Sequence, residues 1–170
     1  MLIEALAGIE GAKLAIIGDG PLRGALERQA QGLGDRVCFL GTLPSDEVAD
    51  WMRRASVLAA PSLTASDGDA EGLPNVVVEA AASGLPVVGT RHSGIPEAVE
   101  DGVTGFLVSE GDAGALAARL ADLLASESLR RDMRGAARRL AERKFNRRML
   151  TERLESIYDE VAGFDRQAPA

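Results

Sequence analysis

The chain has one cysteine, one histidine, one tryptophan and one tyrosine in 170 residues, and its acidic side chains outnumber its basic ones by 26 to 19. Each scarcity excludes something. A single cysteine, Cys38, forms no internal disulfide; it lies in an apolar stretch, which reads as a small core residue rather than a nucleophile, in a reducing compartment. A net charge of −7 excludes the clustered basic surface that nucleic-acid backbones require. No apolar run is long enough to cross a bilayer, and Met1-Leu2-Ile3-Glu4-Ala5-Leu6 lacks the basic flank and cleavage site of a secretion signal, so a cytoplasmic location is expected. Internal repeats and low-complexity segments are absent too.

What is present is an ordinary globular composition, 46% hydrophobic and 26% charged, at a length that fits one α/β domain with a real core. Short apolar runs alternate with helical patterns, as in a parallel α/β fold. The runs Lys13–Ile17, Val37–Leu40, Val57–Ala60, Pro86–Gly89 and Phe106–Val108 read as strands. Between them, helices are expected over Met1–Ala7, Leu22–Gln31, a segment capped by Ser45 that carries Val48, Trp51 and Met52, and a segment that starts at Leu73-Pro74-Asn75 and stops at Gly84. Trp51 is read as core. The last third is helical, with Asp112 and Asn146 placed as caps and apolar faces at Leu116, Leu120, Leu123 and Leu124 and at Leu150, Leu154 and Ile157, which are expected to pack. Residues 1–162 are read as one unit to which the helices from 112 onward belong, and 163–170 as a disordered tail. A doubly wound sheet places its phosphate-binding turn after a first strand, whereas this sequence opens inside a helix; the fold is read as a Rossmann-like parallel sheet without its first strand.

Arg130, Arg131, Arg134, Arg138, Arg139, Arg143, Arg147 and Arg148 cluster near the C-terminus but are interleaved with acids. Solvated helix faces explain them; docking to an acidic lipid surface is the other reading.

The stretch with the most chemistry is Glu71-Gly72-Leu73-Pro74-Asn75-Val76-Val77-Val78-Glu79. A helix that starts after a glycine-containing loop presents unpaired N–H groups and a positive dipole end, which together make an anion site. Leu73, Asn75 and Val76 can donate there, whereas Pro74 has no N–H. Glu79 stands in an otherwise apolar helix, where a charge needs a partner, and a carboxylate one turn past a phosphate site suits the cis-diol of a ribose. Glu71 and Glu79 are eight positions apart, ~12 Å if wholly helical, a reach that fits a sugar on one side of a pyrophosphate and a ribose on the other. Each glutamate alone has a plainer reading: Glu71 as a complement to the helix dipole, Glu79 in a narrow solvent-facing stripe. Combined with Gly72, Pro74 and the apolar helix, the pattern favours a ligand site.

This pattern resembles the donor-site signature of the group 1 glycosyltransferases of the GT-B fold. Further matching segments are I-I-G-D-G-P from Ile16, V-C-F-L-G from Val37, A-A-P-S from Ala59, H-S-G-I-P-E-A-V from His92 and G-V-T-G-F-L-V from Gly102, and the flavour is that of bacterial exopolysaccharide enzymes of the colanic acid and amylovoran type. The resemblance implies the C-terminal half of a GT-B fold and transfer of a sugar from a nucleotide-sugar with retention of configuration, without an essential metal or other cofactor. It implies that Glu71 contacts the donor sugar at the reacting centre, that Glu79 holds the ribose, and that Gly72, Leu73, Asn75 and Val76 hold the diphosphate. Gly18 and Gly20 would lie near the cleft, or simply permit tight strand-to-helix packing. Ser93-Gly94-Ile95-Pro96 would form a further helix start at the cleft or a tight turn, and His92 would cap locally or lie near the substrate.

Departures matter equally. The family draws an Arg and a Lys from a segment before this first helix and its acceptor pocket from an N-terminal domain; neither is in this sequence, so the chain alone is expected to be inactive. The exposed cleft and the apolar stripe of the last helix would then give either an oligomer or a less stable tail, and contact with the inner face of a membrane is a further expectation. The alternatives are a non-catalytic nucleotide-binding module and another GT-B enzyme, such as a nucleotide-sugar epimerase. An epimerase would carry more histidines and acids around the cleft. A phosphorylase would need a pyridoxal-binding lysine, for which Lys13 and Lys144 are poorly placed.

Overall fold

A computed structural model describes residues 1–64, 68 and 72–163. The chain runs α1 (Leu2–Ala7), β1 (Leu14–Ile17), α2 (Arg23–Ala30), a 3-10 segment (Gln31–Arg36), β2 (Val37–Gly41), α3 (Ser45–Arg54), β3 (Leu58–Ala60), α4 (Asn75–Ala82), β4 (Val87–Thr90), α5 (Ile95–Ala98), β5 (Gly105–Val108), α6 (Ala113–Ala125), α7 (Glu127–Lys144) and α8 (Arg147–Ala162). All the expected strands form, and every strand pairing is parallel.

The strands make two sheets rather than one, β1-β2 and β3-β4-β5. The reason lies in the doubly wound order 3-2-1-4-5-6, in which the first strand separates the second from the fourth. The open edges of β1 and β3 are the two edges that such a strand would pair. The same fact explains an uneven core. In the larger sheet, alternation sends Val87 and Leu107 to one face, against Met52, Val77, Ala80, Ile95 and Ala98, and Val88 and Val108 to the other, against Ala5, Leu116, Leu120, Leu123 and Met133. Each Leu, Ile or Val fully buried in this way contributes about 1.5–3 kcal/mol. No residue of β1 or β2 belongs to either cluster, although Leu14-Ala15-Ile16-Ile17 has the unbroken apolar character of an interior parallel strand.

Helix ends follow local chemistry. Asp112 Oδ1 accepts from Ala115 N–H at 2.8 Å, and Asn146 Oδ1 accepts from Arg148 N–H at 3.0 Å, as expected of caps. Arg36 donates to the carbonyls of Leu6 (2.5 Å), Ile9 (2.8 Å) and Ala12 (3.1 Å), so one guanidinium closes the end of α1 and ties it to the start of β2. Some of the C-terminal arginines are solvated helix-face residues, since Arg131–Glu127, Arg138–Glu142 and Arg148–Glu152 are pairs four residues apart on exposed surfaces, but Arg130 and Arg134 are half-buried and donate to the carbonyls of Leu124 and of Ala55. Among the described residues no helix is long and apolar enough to cross a membrane.

Five expectations need correcting. Ser45 caps nothing: Pro44 takes the N-cap position of α3 and Ser45 becomes its first helical residue. The helix expected to start at Leu73-Pro74-Asn75 starts only at Asn75, with Pro74 one position ahead of α4. Cys38 is exposed, not core, because β2 is an edge strand paired only with β1. Trp51 is half-buried, with the Arg54 guanidinium 4.9 Å above its ring. The stripe of Leu150, Leu154 and Ile157 does not pack: α8 has no buried residue, and these side chains are about half exposed. Of the expected tail, Gly163 ends α8 in a left-handed conformation (φ 69°), and 164–170 lie outside the described residues.

Candidate functional site

The site is built where β3 and β4 of the larger sheet end and α4 and α5 begin. Pro74 is buried and anchors the start of α4, while Val77, Ala80 and Ala81 turn into the core. That leaves Asn75, Val76 and Glu79 as one exposed stripe. Val77 N–H is taken by Pro74 O at 3.0 Å, which leaves the N–H groups of Asn75 and Val76 without an intrahelical acceptor at the helix end. Glu79 follows Val76 by three residues, ~4.5 Å along the axis, on the same side. The expectation that Glu79 needs a partner for a buried charge does not hold: its carboxylate is bathed in solvent beside the helix terminus. Glu71 lies outside the described residues, and Gly72 and Leu73 are described.

The segment after β4 braces this terminus. Gly94 N–H donates to Gly72 O at 3.2 Å, and a Cβ on Gly94 would sit 3.0 Å from Leu73 N and Cα. Ser93, between His92 and Gly94, adopts φ 44°, the single non-glycine residue with positive φ among those described. Of the two readings left open for Ser93-Gly94-Ile95-Pro96, a helix start is what forms: α5 begins at Ile95, with Pro96 in its first turn.

His92 is 2% exposed. Its Nδ1 lies 2.8 Å from Glu110 Oε1, just past the end of β5. Glu110 also accepts the Thr64 N–H on Oε2 at 2.9 Å and the Thr64 hydroxyl on Oε1 at 3.3 Å, and Thr64 Oγ1 is 3.4 Å from His92 Nδ1. Beneath it, the Thr90 hydroxyl donates to Ser62 O at 2.7 Å. Three strand ends are thereby joined by side chains. The Thr64 N–H above all, and then His92, hold the Glu110 carboxyl below its ordinary value of 4.5. A depressed carboxyl stabilises the fold above its unfolded value, and that contribution is lost as pH falls through the lower folded value. Wild type and Glu110→Gln are therefore expected to differ in melting temperature at neutral pH and to converge as pH drops below 4.5, measured by thermal melts across a pH series. A difference that stays constant to the lowest pH would refute the linkage.

Gly18 and Gly20 lie past the carboxyl end of β1, in the other sheet. Gly18 has φ 127° and donates to Gly41 O at 2.8 Å, and Gly20 N–H is 2.8 Å from Asp19 Oδ1. Space around both is open, so tight strand-to-helix packing is not their reason. Gly18 is required by its backbone angle. Nearby, Arg23 is paired with Glu27 at 2.9 Å and Asp19 at 3.1 Å, which raise its pKa further. Among the described residues, no hydrogen bond joins this turn to the start of α4. The Thr64–His92–Glu110 cluster, by contrast, is a junction that sequence reasoning did not assemble, although His92 had been singled out.

Parallel sheets flanked by helices, with a helix terminus open at the carboxyl edge of the larger one, define an α/β domain of the Rossmann-like kind. The chain belongs to the group 1 glycosyltransferases, whose family model matches residues 1–126. It is 43% identical over 149 residues to the amylovoran biosynthesis glycosyltransferase AmsK of Erwinia amylovora, covering 86% of this chain and 37% of that protein. It is 41% identical over 152 residues to the putative colanic acid biosynthesis glycosyltransferase WcaL of Salmonella typhimurium, with the same coverage. The chain thus spans little more than a third of the length of these relatives. Among solved structures, sucrose-phosphate synthase from Thermosynechococcus elongatus superposes with a TM-score of 0.83 at 26% identity, over 96% of this chain and 42% of that one. HepE from Anabaena, in complex with UDP and glucose, gives 0.78 at 28% identity, over 91% and 44%. The architecture is that of the C-terminal half of a GT-B fold.

Proposed function

We propose that this chain is the donor-binding part of a glycosyltransferase of polysaccharide biosynthesis, taking a nucleotide-sugar at the start of α4. The observation that carries this reading is the exposed stripe Asn75–Val76–Glu79 at an open helix terminus in a chain of this family. First-turn N–H groups and the helix dipole stabilise the diphosphate, both bound and as its charge develops on leaving, and Glu79 accepts hydrogen bonds from the ribose diol. Glu71 meets the sugar, the transfer retains configuration, and no essential metal is needed for diphosphate binding. Residues 1–162 act as one nucleotide-sugar-binding unit, with the acceptor held by another part of the full-length protein. That one similar solved protein, HepE from Anabaena, is found in complexes with UDP and with UDP-glucose supports this choice of ligand.

The test is isothermal titration of UDP, GDP and ADP into the wild-type chain and a Glu79→Ala variant, without added metal. Saturable binding of one nucleotide is expected, weakened about tenfold by the substitution because a hydrogen bond to a charged group is lost. Binding equal in the two proteins removes Glu79 from the site, and no binding at millimolar nucleotide removes the reading itself.

A further inference from the structure

The last helix carries an apolar seam that no described residue covers. Leu150, Leu154, Ile157 and Val161 of α8 are 47–82% exposed, and the helix has no buried residue. They follow one another at intervals of four, three and four residues, which is the alternation of the two seam positions in a coiled coil with its 3.5-residue period. A stripe this narrow suits a second helix, because a helix that packs on a globular core buries a broader face.

Charge selects that second helix. α8 holds Arg147, Arg148 and Arg153 against Glu152, Glu155, Asp159 and Glu160, and the face opposite the seam carries Glu152, Glu155 and Asp159. An anionic lipid surface would require a basic polar face there. The signs also oppose the helix's own dipole, since the first turn has no acid and the last turn no base. A second copy of α8 laid antiparallel removes the mismatch, because the basic first turn of each helix then lies beside the acidic last turn of the other. In that arrangement Leu154 faces Ile157 of the second copy and Leu150 faces its Val161, so the seam closes on itself about a two-fold axis. Arg153 and Glu160 flank the seam on one side, and the same symmetry sets Arg153 of each copy against Glu160 of the other. Neither has an ion pair among the described residues, whereas Arg148, away from the seam, is paired with Glu152 of its own helix. A parallel pair would set Arg153 against Tyr158 instead.

We propose that this chain forms a dimer by antiparallel pairing of α8, with Leu150, Leu154, Ile157 and Val161 as its core and Arg153–Glu160 pairs fixing its direction. Two heptads bury less than the ~1,200 Å² of a stable complex, so the dissociation constant is expected on the order of 10–100 µM. Sedimentation equilibrium of the whole chain should show the mass rising from 17.8 kDa toward twice that value across this range. Leu154→Gln combined with Ile157→Gln should hold the chain monomeric and leave its melting temperature unchanged, since both side chains are already half exposed. Arg153→Glu and Glu160→Arg each place like charges opposite one another twice in the dimer, and each should weaken it about tenfold. Mixed together, these two single variants should associate at least as tightly as the wild type, because every facing pair is again of opposite sign. A role confined to one helix would leave the mixture as weak as its parts. A chain that stays monomeric at millimolar concentration overturns the proposal, whether its stripe then binds phosphatidylglycerol vesicles or is reserved for another part of a longer protein. So does a dimer that survives the double glutamine variant, or a pair of charge variants that does not recover on mixing.

Discussion

Gly105→Ala is expected to lower the melting temperature of this chain by about 6–12 °C or more. A Cβ at 105 would stand 2.0 Å from Val87 O and 3.0 Å from Val87 C and N. These are backbone atoms, so no rotamer change relieves the clash; β4 or β5 must move. β4 is the strand that can least afford it. It pairs with both β3 and β5, all four of its residues are buried, and Val87 and Val88 carry the two core clusters on opposite faces. Overpacking against a yielding side chain costs about 1–3 kcal/mol; against fixed backbone in a shared strand it reaches about 3 kcal/mol or more, out of a total of roughly 5–15. Gly32→Ala serves as the control, since nothing lies within 4 Å of a Cβ there and its φ is not positive. It should melt at or slightly above the wild-type temperature. Thermal and urea denaturation followed by circular dichroism give both results. A Gly105→Ala protein that melts with the wild type would mean that Val87 and Gly105 are not register partners.

How far the fold could be read in advance follows from which signals are local. Strands bounded by Gly or Pro, such as Leu14–Ile17 before Gly18 and Val87–Thr90 after Pro86, were legible because hydrophobic run and breaker are adjacent in sequence. Asp112 and Asn146 were legible because a cap bonds its own helix. Ser45 misled because the residue type suits an N-cap, while the extended backbone at Pro44 (ψ 153°) places the boundary one residue earlier. The exposed stripe of α8 and the half-buried β1 and β2 looked like core because periodicity reports which residues could be buried together, not whether a partner covers them. Of the candidate site, the helix start and Glu79 could be found from spacing within ten residues. The junction of Thr64, His92 and Glu110 could not: its members are 18 to 46 positions apart and meet only because β3, β4 and β5 are parallel neighbours that end together.

That parallel register also makes Gly94 the most sensitive lever on the site itself. A methyl at 94 would lie 2.8 Å from Leu73 Cβ and 3.0 Å from its N and Cα. Relief cannot come from the α5 side, where the adjoining Ile95 is fully buried in the core, so Leu73 and Gly72 must shift. Leu73 is one of the residues proposed to offer an N–H to the diphosphate, and losing a hydrogen bond to a charged group weakens binding by about 10- to 100-fold. Gly94→Ala is therefore expected to lower nucleotide affinity by that factor while destabilising the fold by about 1–3 kcal/mol, leaving it folded at room temperature. Ser93→Gly separates the two effects. It adds no atom near Leu73 and relieves the positive φ, so it should stabilise by about 1 kcal/mol and leave nucleotide binding unchanged. Denaturation curves and nucleotide titration on the same two variants supply the comparison. Should Gly94→Ala bind nucleotide as tightly as the wild type, the backbone at Leu73 does not touch the diphosphate, and the anion site must be sought at the Gly18-Asp19-Gly20 turn of the other sheet instead.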